Sequence, residues 1–339
     1  MLPTPQSPYP LMKSLLFRLG FVVAFCAASL TGASAADAKL VVGFLAKAKA
    51  NAYFISCYGG AEKAAKELGV ELLFDGPADG NAAKQTEIVE GWIARGVNVL
   101  AVAVENKEGL SVALRKAQQR GIKVVTYDAD AMADARTFFV NQATAEGIGY
   151  ALMDEAARLQ HNEGEFAIIT ASMANANQRE WMKHIEARLK EKYPKMKISA
   201  VRACDDRKDL AQSETAALLK ANPNLKLIVA TCSPGVPGAA EAVKQAGKTG
   251  QVKVIGLGLP NENKPYVHAG ITESVILWNT GDLGYLTVHA AVALAKGTLK
   301  PGAKSFKAGA LGEFAIEGDN LLLGKPFLFN QGNIDRFDF

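Results

Sequence analysis

The chain has 339 residues, which is enough for one large domain or for two ordinary domains that each bury an apolar core. Hydrophobic residues make up 49% of the chain and charged residues 21%, a composition typical of globular proteins that excludes a largely disordered chain. The formal net charge is only +4, and no basic run with interleaved aromatic residues occurs, so nucleic-acid binding is set aside.

The first 36 residues have the pattern of an export signal. Lys13 and Arg18 precede a mostly apolar run at residues 21–30, and about ten residues are too few to span a bilayer. Ala33-Ser34-Ala35 then matches the small-x-small pattern of a cleavage site. We therefore predict a signal peptide over residues 1–36 and a mature protein outside the cytoplasm.

From Lys39 onward, short apolar strands alternate with amphipathic helices. The predicted elements of this first set are strands 40–45, 70–74, 97–104, 122–127 and 137–140 and helices 53–68, 82–94 and 107–120. The helices carry apolar residues three or four positions apart, as at Ile88 and Trp92, so each has one face for a sheet. Repeated strand–helix–strand units predict right-handed crossovers and a parallel sheet covered on both faces.

The pattern then restarts, which predicts a second set of similar units. Its predicted elements are helices 144–159, 178–192, 208–220 and 237–246 and strands 166–170, 198–202, 226–230 and 252–256. Residues 276–279 are expected to run back to the first set, where helix 282–296 would pack. The tail, residues 311–339, is rich in β-forming residues and turn signals.

These patterns predict an α/β fold of two similar doubly wound parallel-sheet lobes with a hinged central cleft. The first lobe is expected to contain residues 37–141 and 279–305, and the second lobe residues 142–278 and 306–339. Several chain crossings between the lobes would let them hinge about the cleft.

Two carboxylates, Asp128 and Asp130, directly follow the apolar strand that ends at Tyr127. Open α/β sheets bind ligands just beyond the carboxyl ends of their strands. Ionised carboxylates accept several strong hydrogen bonds, and no metal-ligand histidine or cysteine stands nearby in the sequence. The pair therefore indicates a neutral ligand rich in hydroxyl groups, although one of the two could instead cap the next turn.

The end of the first strand offers a second group of candidates, Lys47, Tyr53 and Phe54. A lysine donates hydrogen bonds to the oxygens of a polyol, and an aromatic ring gives its C–H groups a flat apolar face. The alternatives are a solvated loop charge for Lys47 and packing at the helix start for the two aromatic residues.

Candidates in the second lobe also lie where strands end or helices begin. They are Asn177, Gln178, Thr231 and Ser233, with Asn279 following Trp278 where the chain crosses between lobes. Amide side chains both donate and accept hydrogen bonds, which matches hydroxyl groups, but asparagine is also an ordinary helix cap.

An enzyme would need a catalytic set, and the sequence offers none. The four histidines lie within or beside predicted helices, away from the strand ends. No H-E-x-x-H, C-x-x-C, G-x-S-x-G or phosphate-loop pattern occurs. We therefore predict no catalytic residues, no metal site and no cofactor.

Three cysteines remain after the predicted signal peptide, namely Cys57, Cys204 and Cys232. Cys204 and Cys232 end strands that would flank the first strand of the second sheet, at about 9–10 Å for the usual strand spacing. Because a disulfide needs its Cα atoms within about 7 Å, we predict three free thiols.

Five stretches of the sequence carry a resemblance to a known family. They are Phe44-Leu45-Ala46-Lys47, residues 123–130, Val140-Asn141-Gln142, Leu277-Trp278-Asn279 and the ending from Phe329 to Phe339. From Lys39 to Phe339 the chain resembles the type I periplasmic sugar-binding proteins, the solute receptors of ABC importers. Within that family it is most similar to the group that contains the rhamnose-binding and autoinducer-2-binding receptors.

The resemblance implies ligand contacts from both lobes. They are Lys47 and Asp128 in the first lobe and Asn177, Gln178, Thr231 and Ser233 in the second. Autoinducer-2 receptors of this group tend to have aspartate where Asn177 stands and Pro-Asp-Ala where Thr231-Cys232-Ser233 stands, so the chain departs from them. Residues 278–285 are more similar to the rhamnose branch.

The resemblance thus implies a monomeric receptor that delivers a monosaccharide, such as rhamnose or a related deoxy sugar, to the membrane permease of an ABC importer. Two alternatives stay open. One is an autoinducer-2 receptor, and the other is a sensory binding protein whose closed form docks on a chemoreceptor.

Overall fold

The computed structural model describes residues 39–339, so the predicted signal peptide lies outside the described residues. In chain order, the strands are β1 (Val41–Leu45), β2 (Glu71–Asp75), β3 (Val99–Val102), β4 (Lys123–Tyr127), β5 (Phe138–Asn141), β6 (Gly164–Thr170), β7 (Met196–Ala203), β8 (Leu227–Ala230), β9 (Lys253–Leu257), β10 (Thr272–Leu277), β11 (Ser305–Ala308), β12 (Gly312–Glu317), β13 (Asn320–Leu322) and β14 (Phe327–Asn330). The α-helices are α1 (Ala52–Leu68), α2 (Ala82–Arg95), α3 (Lys107–Gln119), α4 (Ala145–Leu159), α5 (Ala176–Lys192), α6 (Lys208–Ala221), α7 (Gly235–Gln245), α8 (Pro260–His268) and α9 (Thr280–Ala295).

Two sheets organise these elements, and both have the same strand order at their centre. The first sheet contains the order β2-β1-β3-β4-β5, and the second contains β7-β6-β8-β9-β10. Within each set all neighbouring strands are parallel. The central strands are apolar and buried, as expected where helices cover both faces of a sheet. The predicted fold of two doubly wound lobes is confirmed.

The structure corrects the predicted placement of the carboxyl-terminal tail. Strands β11, β12 and β13 extend the first sheet, where β13 runs parallel to β5, so residues 305–322 belong with the first lobe. Only β14 joins the second sheet, antiparallel to β10. Turn signals in the tail mark where its strands begin and end, but they do not specify which open sheet edge the strands pair with.

Two further predictions differ from the structure near the crossing. Residues 272–277 form β10 inside the second sheet, a strand that was not predicted, and the chain runs back to the first lobe only after it. Helix α8 was not predicted, because its nine residues are polar and include an internal proline, Pro265.

Helices α1 and α9 approach each other closely enough to require glycine at two positions. A Cβ atom added to Gly60 would lie 1.8 Å from the carbonyl oxygen of Gly281, and one added to Gly284 would lie 1.8 Å from that of Cys57. This contact packs α9 against α1 of the first lobe, so the chain is back in the first lobe at α9. Within residues 39–339 no helix combines the length and the apolar character needed to cross a membrane.

Candidate functional site

A pocket lies between the lobes at the carboxyl ends of their strands, with an empty volume of about 390 Å³ that includes its open mouth. We call it the cleft pocket. It is lined by Lys47, Asn51, Tyr53, Phe54, Asp128, Asn177, Gln178, Trp181, Asp206, Thr231, Cys232, Ser233, Leu257, Leu277 and Trp278. Eight of the ten residues that the sequence predicted are in it. The fold thus gathers side chains from both lobes that lie more than 180 positions apart in the sequence.

Asp128 owes its direction to an unusual backbone conformation. Its φ angle is +61°, in the left-handed region that aspartate tolerates better than most residues. The turn is tight, since the amide of Ala129 donates to the carbonyl oxygen of Tyr127 at 2.6 Å. The carbonyl oxygen of Asp128 accepts hydrogen bonds from Gln142 at 3.0 Å and, across the cleft, from Asn177 at 3.3 Å. Strained backbone of this kind is often concentrated at binding sites.

Lys47 and Asp128 form a buried ion pair in the cleft pocket. Nζ of Lys47 lies 2.8 Å from Oδ2 of Asp128, and the two side chains are 6% and 5% exposed. Burial lowers the pKa of Lys47, but the carboxylates of Asp128, Glu105 and Asp206 outweigh it, so the pKa is raised above its ordinary value. The lysine therefore stays charged, and its ammonium group retains donors for a ligand.

Gln178 is fixed through its carbonyl oxygen. That oxygen accepts hydrogen bonds from Thr170 at 2.5 Å, from the amide of Ala171 at 2.8 Å and from Thr231 at 3.3 Å. These contacts hold the ends of β6 and β8 together. Among the described residues the side-chain amide NH₂ of Gln178 has no acceptor, so it is available to a ligand in the pocket.

Polar contacts join the two lobes around the pocket. Asn51, in the first lobe, donates to Asp206 of the second lobe at 3.2 Å and accepts a hydrogen bond from Ser233 at 3.3 Å. On the same side of the cleft, Asn175 donates to both carboxylate oxygens of Glu105 at 3.2 Å. These bonds can form only when the lobes are together, so the structure represents a closed cleft.

An aromatic wall forms another part of the pocket. The ring centroids of Trp181 and Trp278 are 6.3 Å apart, those of Trp278 and Tyr53 are 6.1 Å apart, and those of Tyr53 and Phe54 are 5.1 Å apart. The indole N–H of Trp278 donates to the hydroxyl oxygen of Tyr53 at 2.9 Å, which fixes both rings. The edge-to-face geometry of these rings is a favourable one.

Comparison with known proteins assigns the family. The family model described as "Periplasmic binding protein domain" matches residues 42–299 of the chain. The chain belongs to the periplasmic binding protein family.

Among its relatives, the D-allose-binding periplasmic protein of Escherichia coli is 28% identical over 250 residues, which are 70% of this chain and 79% of the relative. A solute-binding protein of an ABC transporter from Clostridium phytofermentas, solved with bound L-rhamnose, is 29% identical. Its TM-score is 0.85 over 88% of this chain and 98% of that one. The LsrB protein of Clostridium saccharobutylicum in complex with AI-2 has a TM-score of 0.84 over 88% of this chain and all of that one, but at 24% identity it supports the fold alone.

The structure does not bring two predicted site residues into the cleft pocket of this binding protein. Asp130 accepts hydrogen bonds from Thr126 at 2.5 Å and from two nitrogens of Arg136, and Arg136 also pairs with Asp319. Arg136 thereby links Asp130, in the loop after β4, to Asp319, in the β12–β13 hairpin. Asn279 is exposed and caps α9, accepting a hydrogen bond from the amide of Asp282 at 3.0 Å. Both side chains are thus held by contacts within the protein and do not line the cleft pocket.

Seven residues of the cleft pocket were not among the predicted site residues. They are Asn51, Trp181, Asp206, Cys232, Leu257, Leu277 and Trp278. Asp206 comes three residues after the end of β7, so the strand-end rule that found Asp128 could also have found it. Trp181 lies inside α5, where no sequence signal separates a pocket residue from a core residue. Among residues 39–339 no three His, Cys, Asp or Glu side chains are grouped as metal ligands.

The cysteines depart from the sequence argument in one respect. Cys57, Cys204 and Cys232 are free and buried in the structure. However, the sulfur atoms of Cys204 and Cys232 are only 3.4 Å apart. The predicted separation refers to Cα atoms, whereas the two side chains extend towards each other across the end of β6.

Two carboxyl groups from opposite lobes, Glu105 and Asp206, line the same cavity beside the cleft pocket. Burial raises the pKa of Glu105 above its ordinary value, and the charges of Asp206 and Asp128 add to this effect. Lys47 and the hydrogen bond from Asn175 oppose it. Burial likewise raises the pKa of Asp206, with Asp128 adding and with Lys47 and the hydrogen bond from Asn51 opposing.

Closing of the cleft should therefore take up protons. A carboxyl whose pKa is raised in the closed form favours that form at low pH, and this advantage is lost as the pH rises through the raised pKa. We expect ligand affinity to increase as the pH falls from neutral towards the ordinary carboxyl range of about 4. Titration calorimetry at pH 6 in two buffers of different ionisation enthalpy should report proton uptake on binding.

Matched variants test the origin of this effect. Glu105→Gln should reduce the uptake, whereas Glu108→Gln, which removes an exposed carboxylate at the start of α3, should leave it unchanged. Proton release on binding by the unmodified protein would contradict the assignment.

Proposed function

We propose that the protein is the extracytoplasmic receptor of an ABC importer and that it binds one monosaccharide, preferably L-rhamnose or a related 6-deoxy sugar. The names of its relatives support the sugar class, since they describe binding of D-allose and L-rhamnose. The permease of the importer is the partner implied by this role, and the periplasm is the implied location.

The observation that carries this proposal is the combination of two chemistries in one closed pocket. Lys47, Asp128 and Gln178 present charged and amide groups that match hydroxyl groups. Trp181 and Trp278 present flat apolar surfaces that match the C–H face of a sugar ring. Closing the cleft excludes water from the polar contacts and so strengthens them.

The preference for a deoxy sugar rests on the remaining lining residues. Leu257 and Leu277, the last residues of β9 and β10, contribute apolar side chains to the pocket. The hydroxyl of a hydroxymethyl group placed against them would lose its hydration without gaining a hydrogen bond. A methyl group has no hydroxyl and does not incur this cost. An apolar subsite disfavours an added hydroxyl by about a hundredfold at most, so the discrimination should be real but limited.

A binding role accounts for the pocket better than catalysis does. No histidine lines the pocket among the described residues. Its thiol, Cys232, has a pKa raised well above the ordinary value by its hydrogen bond with Cys204 and by burial, which disfavours the thiolate that a nucleophile needs. A receptor should return the bound sugar chemically unchanged, which chromatography of the released ligand can verify.

L-Rhamnose and L-mannose form a matched pair of test ligands, because they differ only in the hydroxyl group at C6. Thermal-shift screening followed by titration calorimetry should show L-rhamnose binding about ten- to a hundredfold more tightly than L-mannose. D-Ribose, D-allose and autoinducer-2 belong in the same screen. Equal or tighter binding of L-mannose would contradict the deoxy preference, and tight binding of autoinducer-2 alone would replace the sugar by that ligand.

A further inference from the structure

Two thiols meet directly behind the cleft pocket. The sulfur atoms of Cys204 and Cys232 are 3.4 Å apart, and the two residues are 0% and 4% exposed. Cys204 follows β7 and Cys232 follows β8, so they approach each other over the end of the intervening strand, β6. Cys232 itself lines the pocket between Thr231 and Ser233.

The local backbone explains why the sulfur atoms converge. On the β7 side of β6, the amides of Cys204 and Asp205 donate to the carbonyl oxygens of Thr170 at 2.8 Å and Ala171 at 2.7 Å, and on the β8 side the amide of Thr231 donates to that of Ile169 at 2.8 Å. Cys232 lies beyond these hydrogen bonds, in a turn that leads into α7. At the start of that helix a Cβ atom added to Gly235 would come within 2.9 Å of the Cys232 sulfur, so glycine leaves room for the thiol.

We propose that Cys204 and Cys232 are a site of covalent modification, and that they form an intrachain disulfide when the exported chain folds in an oxidising compartment. The bond would shorten the sulfur–sulfur distance from 3.4 Å to about 2.0 Å. It would link the loop that carries Asp206 to the loop that carries Ser233, and both loops line the cleft pocket.

The oxidant is a disulfide of low molecular mass or of a thiol–disulfide oxidoreductase, as found in oxidising compartments. While the chain folds and these cysteines are still accessible, one cysteine thiolate attacks that disulfide, forms a mixed disulfide and releases one thiolate of the oxidant. The second cysteine thiolate then attacks the sulfur of the first and releases the other. Two cysteine thiols are oxidised, one disulfide of the oxidant is reduced to two thiols, and the two protons pass to the released thiolates.

Peptide mapping tests this assignment without any sugar ligand, so its outcome is independent of the proposed function. The full chain is exported and purified without reductant, and a second sample is refolded from reductant in a mixture of reduced and oxidised glutathione. Free thiols are alkylated in denaturant before digestion and mass spectrometry. We expect a peptide pair linked through Cys204 and Cys232 that disappears on reduction, with Cys57 alkylated in every sample.

Cys57 is the matched control, because it is equally buried but has no sulfur neighbour among the described residues. Cys57→Ala should leave the linked peptide pair unchanged, and Cys232→Ala should leave Cys204 alkylated. The proposal is overturned if Cys204 and Cys232 are both alkylated in folded protein from both samples. It is equally overturned if a glutathione adduct persists on either residue, or if either one links to Cys57 instead.

Discussion

Asp128→Asn is expected to lower the affinity for the bound sugar by roughly tenfold or more and to destabilise the closed protein. Asparagine tolerates the left-handed backbone found at this position, so the substitution removes the charge while keeping the turn. It removes the direct ion-pair partner of Lys47 in a nearly buried position, a change that typically costs about 3–5 kcal/mol, although the charges of Glu105 and Asp206 still act on the lysine. Titration calorimetry and urea unfolding measure the two effects.

A neighbouring ion pair provides the control for this prediction. Nζ of Lys49 lies 2.9 Å from Oδ1 of Asp75, but the two side chains are 52% and 41% exposed. Asp75→Asn should therefore change the free energy of unfolding by less than about 1 kcal/mol. The double variant Lys47→Met, Asp128→Asn should be less destabilised than the sum of its single variants. Unchanged affinity in a folded Asp128→Asn protein would remove Asp128 from the site.

Gly60→Ala is expected to destabilise the first lobe by about 3 kcal/mol or more, as severe overpacking does. The added Cβ atom would lie 1.8 Å from the backbone carbonyl oxygen of Gly281, and a backbone atom cannot move aside as a side chain can. Helix α9 would have to separate from α1, and Trp278, which immediately precedes the α9 cap, would shift in the pocket. Urea unfolding measures the loss of stability.

Gly59→Ala is the matched substitution one position earlier in the same helix. An added Cβ atom at Gly59 would meet nothing within 4 Å, so the variant should gain up to about 1 kcal/mol from the higher helix propensity of alanine. If the two variants had equal stability, the close contact between α1 and α9 would not be a constraint on the fold.

The sequence was informative wherever a pattern is local. The periods of the apolar residues predicted most strands and helices, because each pattern depends on neighbours within a few positions. Polar residues just beyond strand ends then predicted much of the cleft pocket, since parallel strands bring their carboxyl ends to one edge of a sheet. Lys47, Asp128 and Gln178 were found in this way.

Asp128 and Asp130 show where local patterns stop being sufficient. Both follow the same strand, and the same strand-end argument predicted both as ligand contacts. The left-handed backbone at Asp128 accompanies the direction of its carboxylate towards Lys47, whereas Arg136 and the distant Asp319 hold Asp130 in a structural network.

The sequence by itself determined the two-lobed α/β architecture and the chemistry available at the strand ends, because both follow from local periodicity and from the direction of parallel strands. Only the tertiary structure decided which sheet edge the tail strands joined, and which of two adjacent carboxylates faced the cleft. It alone showed that two cysteines on non-adjacent strands are in contact. These outcomes depend on pairings between residues far apart in the chain and on single backbone dihedral angles, and neither leaves a periodic signal in the sequence.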